Sequence, residues 1–184
     1  MNRPYRTLGW TRRSDGAYAR FRRHHLITPE GTWVGRDRLH HVGAVAVLPV
    51  IGEDVLLVEQ WREAAGEAVL EVPAGLLEVG ESAEEAAARE CAEETGLAPA
   101  RLRRLGRWWT SPGISDEQVT AFVADGLSEV GRNPDGAEEA LAQIHRIPLA
   151  DAVAAVGTGR IRDLKTVAVL GLVAGGTPGQ SPAP

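Results

Sequence analysis

Apolar and polar positions divide the chain into short strands and a few helices. Residues 1–41 read as strands and turns: Tyr18 to Leu26 alternates loosely, and Thr32 to Val34 follows the turn signal Pro29-Glu30-Gly31. Gly43 to Val50 is a continuous apolar run of the buried-strand type. Gly52-Glu-Asp54 turns it, and Val55 to Trp61 returns as a second strand. Ala68 to Val72 is another strand. A helix is predicted over 83–95, followed by strands over 101–109 and 117–124 and a loop at Asn133-Pro-Asp-Gly136. A strand over 141–147 then leads into helices over 149–156 and 163–174. The tail 175–184 carries no core-forming residue and is expected to be disordered. Helices that do not alternate regularly with strands imply an α+β fold with a mixed sheet in a sandwich.

Composition narrows the class. The chain has 184 residues, 43% hydrophobic and 24% charged, which suits one domain with a small appendage. No apolar run approaches the roughly 18 residues a membrane span needs, and Met1 to Tyr5 lacks a signal-peptide hydrophobic region. The single cysteine, Cys91, excludes an internal disulfide and a cysteine-rich zinc site, so a cytoplasmic protein is expected. Charge is uneven: residues 1–41 carry nine arginines against Asp15, Glu30 and Asp37, while the whole chain is at −5. These arginines interleave with strand-like apolar residues, which argues against a nucleic-acid arm. The pairs His24-His25 and His40-His41 place neighbours on opposite strand faces, so neither pair is expected to chelate one ion. The five tryptophans are read mainly as core or interface residues.

The most informative stretch is the predicted helix. Ser82 with Glu85 forms a capping box, Gly96 supplies the left-handed residue after the last turn, and Pro99 prevents continuation. Ala83, Ala86, Ala87, Ala88, Cys91 and Ala92 let this helix press closely on a sheet. Residues 78–97 hold seven acids against one base, Arg89, and Glu90, Glu93 and Glu94 fall within an arc of roughly 100°. Like charges at i,i+4 and anions near a helix C-terminus each oppose folding by a few tenths of a kcal/mol or more. Solvation of a glutamate-rich alanine helix would tolerate this, and so would a divalent cation, for which hard carboxylate oxygens are suited.

The spacing decides between them. Gly75, Glu81, Arg89, Glu90, Glu93, Glu94, Gly96 and Leu97 match every fixed position of the signature of the Nudix hydrolases, with Cys91 standing where that family more often has an aliphatic residue. The resemblance implies an α/β/α sandwich with a mixed sheet between helices, plus the small antiparallel strand region at the N-terminus. It implies Mg²⁺, or Mn²⁺, held by Glu90, Glu93 and Glu94 with the carbonyl of Ala74, and Arg89 orienting the glutamates. Pro112, sixteen residues after Gly96, resembles the mark of the ADP-ribose pyrophosphatase subgroup, as do Val58-Glu-Gln-Trp-Arg62, Leu70-Glu-Val-Pro-Ala-Gly75 and Ile161-Arg-Asp-Leu-Lys-Thr166. That subgroup implies Mg²⁺-dependent hydrolysis of ADP-ribose to AMP and ribose 5-phosphate. Its substrate contacts would come from Arg62 and from Pro112-Gly113. The general base would be a loop glutamate, Glu138 or Glu139, with Glu93 and Arg89 completing the catalytic set.

Two alternatives stay open at this stage: another nucleoside diphosphate sugar such as a GDP-sugar, or a nucleotide-sensing module without catalysis. The resemblance further implies a homodimer in which residues 1–41 pack across the partner, residues 42–174 forming the hydrolase domain.

Overall fold

A computed structural model of the protein describes residues 5–16 and 19–176. Two compact units are present: the described part of Met1–Gly43 together with Trp109–Gln118, and the described part of Ala44–Trp108 together with Val119–Pro184. The expected boundary at residue 41 therefore leaves out the segment 109–118. Of the expected disordered tail, all but Gly175 and Gly176 lies outside the described residues.

The first unit is a three-stranded antiparallel sheet of β1 (Arg6–Asp15), β2 (Ala19–Ile27) and β3 (Trp33–His41), with β2 in the middle. The segment after Trp109 is stitched to β3 by backbone bonds, Leu39 N–H to the Ile114 carbonyl (2.8 Å) and Asp116 N–H to the Leu39 carbonyl (3.2 Å). Asp116 strengthens the seam by accepting from the His41 N–H, from Arg38 and from His40 Nδ1, each at 2.8 Å. His40 in turn meets His24 from the neighbouring strand, Nε2 to Nε2 at 2.7 Å. Neither sequence pair acts as a unit, as alternation requires, but one member of each does.

The second unit is built on a sheet of β4 (Ala44–Ile51), β5 (Asp54–Arg62), β6 (Glu67–Glu71), β7 (Ala74–Leu76), β9 (Arg101–Trp109), β10 (Gln118–Asp125) and β12 (Gln143–Pro148). Its main path runs β12-β5-β4-β10-β9, with β6 on β5 and β7 on β4. The sheet is mixed, because β10 runs parallel to β4 while β5 and β7 run antiparallel to it. A separate small pair joins β8 (Leu97–Ala98) to β11 (Ser128–Glu129).

The apolar run in β4 is explained by burial on both faces. Ala44, Ala46 and Leu48 enter one core with residues of α3 (Leu149–Gly157) and α4 (Leu164–Ala174), namely Ala152, Val169 and Leu170. Val45 and Val47 enter the other, with Ala86, Ala87 and Cys91 of α1 (Ala83–Thr95) and with Phe122 of β10. Helices thus cover both faces, and the unit is an α/β/α sandwich. A fourth, one-turn helix, α2 (Ala137–Ala140), lies in the loop before β12. Among the described residues no helix is long and apolar enough to cross a membrane.

Most of the expected elements are found at or within two residues of the expected ends; β3 runs on to His41 past the expected end at Val34, and β1, β7, β8, β11 and α2 were not expected as separate elements. The tryptophans depart from the core expectation: Trp10, Trp33, Trp61, Trp108 and Trp109 are each at least 40% exposed. Phe122 is the largest fully buried side chain, and the core is otherwise mainly aliphatic.

Helix α1 begins as its sequence prescribes. Ser82 accepts from the Glu85 N–H, and the Glu85 carboxylate accepts from the Ser82 N–H at 2.9 Å. Replacing Ser82 by Ala is expected to cost about 1 kcal/mol of stability. Chemical denaturation should show this as a lower midpoint with an unchanged slope.

Candidate active site

The site is assembled where β7 meets the inner face of α1. β7 pairs with β4 through Ala44 to Leu76, Val45 to Gly75 and Ala46 to Ala74, which fixes the backbone of 74–76 beside the helix. Glu90 and Glu94 lie one turn apart on the buried side of α1, 5% and 2% exposed. The Glu90 carboxylate occupies the space where a Cβ on residue 75 would stand, so any side chain at Gly75 would displace that carboxylate. The Ala74 N–H donates to Glu94 Oε2 at 3.3 Å.

Arg89 organises the outer part. Its Nε donates to Glu81 (2.8 Å), its Nη1 to Glu90 (2.6 Å) and to Glu93 (2.9 Å), and its Nη2 to the Leu76 carbonyl (2.9 Å). One guanidinium therefore ties three acids and the end of β7 together, and these acids raise its own pKa. Glu93 is only half-buried and is engaged on this arginine.

The inner pair is short of positive charge. Burial, helped by Glu139 and Glu93 and only partly opposed by Arg89, pushes the Glu90 carboxyl up to about 7. Burial and then the charges of Glu90 and Glu139, with Glu71 beyond them, push Glu94 up to about 8. Both carboxyls are thus held partly protonated near neutrality, chiefly by burial. Among the described residues no three His, Cys, Asp or Glu side chains are already gathered around one point. The chemistry of the donors nevertheless fits a hard divalent ion: two buried carboxylates that repel each other, with Glu139 and the Ala74 main chain alongside.

Of the two loop glutamates, it is Glu139 whose charge bears on both Glu90 and Glu94. α2 starts at Gly136 (φ 100°), and its turn leaves Glu139 half-buried and Glu138 exposed. The Asp135 N–H donates to Glu139 Oε2 at 2.7 Å, and Arg132 Nη2 holds the Glu139 carbonyl at 2.8 Å.

Residues 40–169 match the NUDIX domain. The chain belongs to the Nudix family. It is a Nudix hydrolase, and enzymes of this family use a divalent cation. It is 37% identical over 139 residues to an ADP-ribose pyrophosphatase of Bacillus subtilis, covering 75% of each chain. It is 38% identical over 161 residues to an ADP-ribose pyrophosphatase of Mycobacterium tuberculosis, covering 86% of this chain and 77% of that one. The fold is also that of a solved ADP compounds hydrolase, with a TM-score of 0.85, 22% identity and 94% of each chain covered.

The remaining expected residues fall in two groups. Arg62 donates through Nε to Glu71 at 2.6 Å, and Glu94 adds to the field that keeps it charged. Pro112 and Gly113, in the first unit, help line a cleft of about 320 Å³ with Arg36, Arg38 and Trp109. Glu71 was not anticipated. Its signal was a lone acid between Leu70 and Val72 in an apolar strand.

The raised carboxyls make stability depend on pH. Between the ordinary value of 4.5 and about 7 to 8, the folded chain binds more protons at Glu90 and Glu94 than the unfolded chain does. Their contribution to stability is therefore full at low pH and is lost as pH rises through that window, by up to about 1.4 kcal/mol per pH unit for each group. Thermal melts of metal-free protein between pH 5 and 8 should show this loss. It should shrink in Glu94→Gln and on adding a divalent cation at pH 8.

Proposed function

We propose that this enzyme hydrolyses the diphosphate of ADP-ribose, with Mg²⁺, to AMP and ribose 5-phosphate. The observation that carries the reading is the buried, mutually repelling pair Glu90 and Glu94 beside Gly75, faced by Glu139. The two relatives named as ADP-ribose pyrophosphatases support the choice of substrate.

In this reading Glu90, Glu93, Glu94 and the Ala74 carbonyl would hold the metal. When bound, Mg²⁺ supplies charge neutralisation of the diphosphate and acidification of a water. Arg89 keeps Glu81, Glu90 and Glu93 in register through four of its five hydrogen bonds, the fifth going to the Leu76 carbonyl, so the oxygens are placed before substrate arrives. Glu139 accepts the proton of the attacking water; the Asp135 N–H leaves it one fixed oxygen and one for this task. Arg62 steadies the diphosphate through guanidinium hydrogen bonds. Pro112 and Gly113, beside the exposed indole of Trp109, receive part of the nucleotide in their own cleft.

The first unit exposes Tyr5, Leu8, Trp10 and Trp33, and its described strands leave few side chains buried. A three-stranded sheet needs a packed face for stability. We assign that covering to the second subunit of a homodimer, whose acidic body complements the arginines of residues 1–41. A cytoplasmic location accords with Cys91, a buried thiol that burial pushes up to about 11.

The substrate is tested by incubating the protein with Mg²⁺ and ADP-ribose or GDP-mannose and identifying the phosphate-containing products. AMP from ADP-ribose is expected; no cleavage of ADP-ribose would refute the assignment. Glu94→Gln should lower turnover at least about 100-fold while the fold survives. For the base, Glu139→Gln should cost about two orders of magnitude and Glu138→Gln little. Steady-state kinetics would exclude Glu139 if its variant kept full activity.

A further inference from the structure

Three segments singled out in the sequence have no role in the account above beyond Arg62, Ala74 and Gly75: residues 58–62, 70–75 and 161–166. In the second unit they meet in one charge ladder. Glu71, whose side chain is 2% exposed, receives a separate cation on each oxygen. Arg62 Nε reaches Oε1 at 2.6 Å, and Lys165 Nζ reaches Oε2 at 3.1 Å. Lys165 also donates to Asp163 Oδ1 at 2.7 Å. Asp163 caps α4, its Oδ2 accepting from the Thr166 N–H at 2.9 Å and from the Thr166 hydroxyl at 2.7 Å. The Val72 N–H donates back to the Thr166 hydroxyl at 2.8 Å, closing the ladder onto the residue next to Glu71.

The ladder carries two positive and two negative charges. A buried carboxylate costs several kcal/mol unless it is paired and hydrogen-bonded, so Glu71 must be neutralised by something. Lys165, the chain's single lysine, does this from the α4 side. Arg62 is then not needed as the sole counter-ion and touches Glu71 through Nε, with its side chain 40% exposed. Its guanidinium also lies within the field of Glu94, a ligand in the proposed metal set. Without Lys165, Arg62 would be drawn fully onto the unpaired Glu71 carboxylate.

We infer that Lys165, acting through Glu71, is a positioning residue that keeps the Arg62 guanidinium turned toward the diphosphate. This rests on the reading of Arg62 as a diphosphate contact. Lys165 itself touches no reacting atom; its influence passes through two salt bridges.

The test is a double-mutant cycle on kcat and KM for ADP-ribose, using the full chain, Lys165→Met, Arg62→Met and the double variant. Lys165→Met is expected to raise KM about tenfold with a smaller change in kcat, and to have little further effect once Arg62 is gone. An equal loss in both backgrounds would show that Lys165 works independently of Arg62 and would overturn the inference. Calorimetric binding of inorganic pyrophosphate, with Mg²⁺, to the same four proteins repeats the cycle without catalysis. Failure of the wild type to cleave ADP-ribose would thus count against the substrate and leave the ladder still decided by the pyrophosphate cycle. Should Lys165→Met not fold, Lys165→Gln removes the same charge and replaces it in the cycle with the same two outcomes.

Discussion

Two carboxylates that repel each other, Glu90 and Glu94, are held out of water on one face of a helix, and much of the second unit exists to make that arrangement tolerable. The cost of burying unpaired acids is several kcal/mol, comparable with the whole stability of an ordinary domain. It is met by alanines and Cys91 that seat α1 on both sides of the pair, and by β4, apolar on both faces. Gly75 leaves room for the Glu90 carboxylate, and the Arg89 guanidinium bridges Glu90 to the outer acids Glu81 and Glu93. The site is therefore stressed by its own charges, and in the proposed reading a divalent cation relieves the stress.

What could be read from the chain follows from how local each signal is. The ends of α1 are written within one turn of sequence, in Ser82, Glu85 and Gly96, and the structure ends the helix there. The continuous apolar run of β4 announced a strand buried on both sides, and both cores confirm why. β7 was missed because three residues, Ala74 to Leu76, carry no periodicity; only their pairing with β4 makes them a strand. The same holds for β8, β11 and α2, each four residues or fewer.

Non-local facts were hidden for a different reason. Sequence leaves Glu138 and Glu139 equivalent, and the single turn of α2 separates them into an exposed and a half-buried residue. Alternation forbids His24 from joining His25, but says nothing of His40, which arrives from another strand. Glu71 and Lys165 lie 94 positions apart, so their pairing depends on where β6 ends and α4 begins in the folded unit. Family resemblance supplied the metal helix; it did not supply these partnerships.

The placement of the indoles reverses the usual relation between fluorescence and folding. With aliphatic side chains and one phenylalanine filling the interior, none of the five emitters sits in an apolar, rigid setting. Emission of a single subunit should already be red-shifted, and unfolding should move it little. Light from this enzyme reports on its surface far better than on the integrity of its core.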